Sequence, residues 1–182
     1  MIIDLPGLPP AVCLHEAAHA CVARHFGLPV IAVIAASDGS GMCLLARGKE
    51  PEELIAAAVS TSAGIAFYRM AGYDEIGCDD DTERVKELRV MYREATGLEM
   101  DDTFAAAKAI INTPKVTREI LATAWAMQEN VVYSGAELLV MANGDPVPVA
   151  KVKPVAPHAN DGAGSSFDAG EYDKVLMFLG SE

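Results

Sequence analysis

Residues 51–71, PEELIAAAVSTSAGIAFYRMA, place apolar side chains on most faces of a helix, which predicts a central helix stopped by Gly72. An earlier helix opens at Pro9-Pro10, where proline is tolerated, runs through HEAAHACVARHF and ends at Gly27. Between them lie two short apolar runs, Val30 to Ala36 and Met42 to Ala46, separated by the turn Asp38-Gly39-Ser40-Gly41. They predict a hairpin, or one strand followed by a loop. Asp80-Asp81-Thr82-Glu83 fits a capping box for a third helix, strongly charged on one face and ending at Gly97. Asp101 or Asp102 caps a fourth helix that ends near Asn112. Thr113-Pro114 opens a fifth, reaching about Asn130, and Ser134 to Glu137 a short last one, to about Met141.

At Asn143-Gly144 the composition shifts to Pro, Gly, Ala, Ser and Asp, so residues 1–142 read as one domain and 143–182 as linker and tail. The tail ends in an apolar patch, Val175 to Leu179. The Ala-rich middle and the scarcity of β-branched runs predict a mainly α fold with a small β-hairpin or sheet element. A net charge of −12 without a basic stripe argues against nucleic acid as a partner. No apolar run reaches the roughly 18 residues of a membrane span. The N-terminus lacks the pattern of a secretory signal, so a cytoplasmic location is expected. Cys13, Cys21, Cys43 and Cys78 form no CxxC pair and read as free thiols.

One motif carries chemistry: His15-Glu16-Ala17-Ala18-His19. Residues at i and i+4 of a helix share a face, so both imidazoles can address one ion. Glu16, beside the first ligand, is placed to take a proton from an activated water. Two imidazoles and a carboxylate with an open fourth position suit zinc. His25, six residues beyond His19, falls on another face, and His158 lies in the tail. The third ligand must come from elsewhere, and Asp79-Asp80-Asp81 is the standout cluster. Such a run also caps a helix and suits its dipole, so composition leaves the two roles open.

The run Leu14 to Ala23, LHEAAHACVA, resembles the protease domain of FtsH-type zinc proteases, whose pattern is HEAGHA followed by small apolar residues. Gly77 to Arg84, GCDDDTER, is similar to their later GASNDLERAT segment, and Glu129 to Leu138 resembles their closing segment. The resemblance spans roughly residues 11 to 142 and implies a zincin-like helical domain. It places the family's aspartate ligand on Asp81, so that His15, His19 and Asp81 would hold Zn2+. Ala18 replaces a glycine, and the family's GGRAAE is reduced to Ser62-Ala63-Gly64-Ile65-Ala66, without its glutamate.

The ATPase module and membrane anchor of that family have no counterpart here. Gly48-Lys49 is followed by Glu50, not the Ser or Thr of a phosphate-binding loop. The expectation is therefore a zinc-dependent endopeptidase acting on unfolded or flexible polypeptide, with Glu16 as general base. A separate ATPase or adaptor is the expected partner, and the resemblance implies ring-forming homo-oligomers. The strand Val30-Ile31-Ala32-Val33-Ile34 is the expected edge for an extended substrate. The competing expectation is a non-catalytic zinc-binding regulatory or interaction protein on the same fold.

Overall fold

The computed structural model describes residues 8–35, 39–46, 48–75, 77–127 and the backbone of 133–134. It is mainly helical, with one small antiparallel sheet. The elements are α1 (Ala11–His25), β1 (Val30–Ala35), β2 (Gly41–Leu45), α2 (Pro51–Ala71), α3 (Asp79–Thr96), α4 (Thr103–Ile111), α5 (Pro114–Ala126) and β3 (Tyr133–Ser134).

Helix α1 is buried from Cys13 to Ala23 without interruption, enclosed by α2, α5 and the sheet. Such close approach needs small side chains, and α1 and α2 supply Ala17, Ala18, Ala63 and Ala66, all fully buried. Helix α2 is central, as its apolar faces predict, and packs on α1, α3 and α4. By length and composition α2 could cross a membrane, yet 72% of its apolar window is buried inside the fold. Its first turn is fixed by reciprocal bonds between Glu50 and Glu53, a capping box in the stretch that failed as a phosphate loop.

Helix α3 buries only Leu88, which joins Leu54 and Ala58 of α2 and Met100. That anchorage brings the first turn of α3 over α1. Asp80 is not its cap: Cys78 holds the N-cap position without a side-chain bond, and Asp79, Asp80 and Asp81 all lie in the first turn. Carboxylates in a first turn suit the helix dipole. Asp102 rather than Asp101 caps α4, accepting from the N–H groups of Phe104 and Ala105.

The sheet order is β2-β1-β3. β1 pairs with β2 from Val30↔Leu45 to Ala35↔Gly41, and with β3 at Ala32↔Ser134 and Val33↔Tyr133. β1 is therefore the central strand, and of the expected substrate edge at Val30 to Ile34 two residues, Ala32 and Val33, are paired on both sides. Its backbone groups at Ala32 and Val33 have strand partners on both sides, so an extended chain cannot add there. Among the described residues the edge strands are β2 and the two-residue β3. Ser134, expected to cap a last helix, is a strand residue. The rest of that helix, the tail and the boundary at residue 142 lie outside the described residues.

Candidate metal centre

His15 and His19 both emerge from α1 toward the junction of α2 and α3, and both are buried. His15 Nε2 lies 2.8 Å from Asp81 Oδ2, and His19 Nε2 lies 3.2 Å from the same oxygen. The two rings meet edge to face with centroids 4.6 Å apart. The structure thus brings together the three residues His15, His19 and Asp81, from two helices 62 residues apart in sequence at their nearest members, His19 and Asp81. Asp79 and Asp80 are exposed, whereas Asp81 is half-buried. His25 is exposed and meets Phe26 edge to face, away from the cluster.

The far side of the His19 ring fixes its chemistry. Nδ1 lies 2.8 Å from the carbonyl oxygen of Ser60. A carbonyl only accepts, so Nδ1 carries the hydrogen, and in the neutral ring Nε2 presents a lone pair. That lone pair faces a carboxylate oxygen at 3.2 Å. Two acceptors at that distance require a proton or a cation between them. Two donors about 2.1 Å from a tetrahedral zinc would lie roughly 3.4 Å apart. His19 and Asp81 stand close to that spacing, whereas the 2.8 Å between His15 and Asp81 is hydrogen-bond distance; by their chemistry the three donors could hold a metal ion.

The charges respond accordingly. Burial would lower the pKa of His19, but the hydrogen bond and charge of Asp81, with Glu16 adding, raise it to about 9. Burial and the neighbouring His19 lower that of His15, against the pull of Asp81. Burial would raise Asp81, yet the hydrogen bonds from His15 and His19 hold it well below the usual carboxylate range. Glu16 is pushed up to about 7, chiefly by burial, with His19 opposing and Asp81 adding.

Two glycines permit this arrangement. A Cβ at Gly64 of α2 would sit 2.5 Å from His15 Nε2 and 2.6 Å from His19 Nε2. A Cβ at Gly41, where β2 begins, would meet Glu16 Oε1 at 2.5 Å. Neither role follows from the HExxH spacing, nor does that of Ser60. The signal for Gly64 was present: glycine inside a helix costs about 1 kcal/mol relative to alanine, so an Ala-rich helix that keeps one has a reason. Cys78 also joins the cluster. One nitrogen of His15, Cys78 Sγ and an Asp81 carboxylate oxygen lie within 4.8 Å of one another.

The cluster opens into a cleft of about 470 Å³. Met42 and Leu44 of β2 and Leu88 and Met91 of α3 contribute apolar lining; Thr61 and Arg84 add polar groups. A scan against models of known protein families finds no match, and a search of curated proteins finds none either.

Proposed function

We propose that this protein is a zinc-dependent endopeptidase of zincin-like, FtsH-type character. The observation that carries the proposal is the convergence of His15 Nε2 and His19 Nε2 on Asp81 Oδ2, with His19 Nδ1 tied to a carbonyl. Zinc held there supplies Lewis acidity to a scissile carbonyl and to the attacking water. Ser60 keeps the His19 ring turned so that Nε2 faces the site. Glu16 takes the proton of the attacking water and returns it to the leaving amine. The open edge of β2 borders the cleft, so an extended polypeptide can align there by main-chain hydrogen bonds. A separate ATPase or adaptor that delivers unfolded chain, and ring assembly, belong to the same proposal through the FtsH-type resemblance.

A second reading, a non-catalytic zinc protein, draws on Cys78, since a fourth protein donor would close the site as structural zinc sites are closed. The test is metal removal. Chelator-stripped protein should not cleave unfolded casein, and about one equivalent of zinc per chain should restore cleavage. Stoichiometric zinc without cleavage selects the non-catalytic reading. No zinc at all removes both.

A further inference from the structure

The two histidines differ in what stands behind them. His19 Nδ1 faces a backbone carbonyl, which can only accept. His15 Nδ1 faces Cys78 Sγ, 4.0 Å away. A thiol is both a weak donor and a weak acceptor. Cys78 is firmly placed: it is 3% exposed and holds the N-cap position of α3. Its N–H donates to the Glu75 carbonyl, and its own carbonyl accepts from the N–H and hydroxyl of Thr82. Three residues later on the same helical turn stands Asp81.

From this geometry we infer that Cys78 is a positioning residue that holds His15 through Nδ1 and does not ligate the metal. Without metal, the 2.8 Å contact to Asp81 is a hydrogen bond donated by His15 Nε2–H, and Nδ1 accepts from the Cys78 thiol. With metal, Nε2 must present its lone pair, the ring proton sits on Nδ1, and the thiol turns to accept it. His19 keeps its Nδ1 hydrogen on the Ser60 carbonyl in either state and gives up only the Nε2 proton to metal; His15 changes tautomer, and the two-way thiol accommodates both forms. A carbonyl or carboxylate behind His15 would serve only the loaded state. Tyr68, edge to face on His15 with centroids 4.6 Å apart, keeps the ring from rotating away.

This rests on the zinc site proposed above, and the experiment separates the two. Zinc affinity is measured by chelator competition for full-length wild type and Cys78→Ala, with circular dichroism as a check on folding. The electronic spectrum of the cobalt-substituted wild type reports thiolate ligation. The His15 ring nitrogens are assigned by NMR with and without zinc. The expected results are no thiolate-to-cobalt charge-transfer band and a shift of the His15 proton from Nε2 to Nδ1 on loading. Zinc affinity should fall roughly 10-fold in the folded variant. A strong thiolate band overturns the inference, as does wild-type affinity in Cys78→Ala or a His15 proton that stays on one nitrogen. If Cys78→Ala does not fold, the wild-type spectrum and tautomers decide alone. If wild type binds no zinc, the metal site itself fails, and the inference with it.

Discussion

At the scale of single residues, the weight falls on Asp81. It alone of the three consecutive aspartates is drawn in from solvent, and its Oδ2 meets both imidazoles. Asp81→Asn should weaken zinc binding at least 10-fold, while Asp79→Asn should leave it within error, as chelator competition would read. Equal effects would show that the acids act only as a field. The motif spacing made His15, Glu16 and His19 legible, whereas Asp81 needed a second motif to separate it from its neighbours. Ser60 stayed hidden because its contribution is a backbone carbonyl, which every residue has. The pH behaviour of the metal-free protein follows from the same contacts. His19, raised to about 9 from 6.5, adds stability that is present below 6.5 and lost as pH rises through 9. Glu16, raised to about 7 from 4.5, favours folding below 4.5 and loses that contribution as pH rises through 7. These two signs agree, but His15, lowered from 6.5, adds stability as pH rises toward 6.5, so the Tm of zinc-stripped protein should fall cleanly from about pH 6.5 to about pH 9.5. Glu16→Gln should flatten the lower part of that fall. A Tm that climbs over this range would contradict the assignment.

At the scale of elements, the decisive contact is α2 against α1. Gly64→Ala adds helix propensity worth about 1 kcal/mol. It also drives a methyl group to within 2.6 Å of two ring nitrogens, and overpacking of that kind costs about 1–3 kcal/mol. The clash wins, and it falls on the atoms proposed to bind metal. Zinc affinity should drop about 10- to 100-fold, with a Tm equal to or below wild type. A tighter or more stable variant would mean that α1 and α2 sit farther apart. The helices themselves were readable because Gly27, Gly72 and Gly97 all take positive φ where apolar periodicity stops. The sheet was less so. Val30 to Ala35 reads as a strand from its composition, but a third partner of two residues leaves no periodic signal, so its central position became visible only in the pairing.

At the scale of the whole molecule, a charged and largely exposed helix hangs from the core by Leu88, and its first turn completes a site begun 62 residues earlier on α1 at His19. The two imidazoles, Glu16, Asp81 and the cleft meet only because α2 packs against both α1 and α3, a tertiary fact that no local pattern encodes. The central claim is that this assembly hydrolyses peptide bonds with Glu16 as the base. It is tested most directly by Glu16→Gln, with zinc content and casein cleavage measured on the same sample. The account predicts about one zinc per chain, as in wild type, with cleavage reduced by at least 100-fold. Full cleavage by that variant, with its zinc retained, would contradict it.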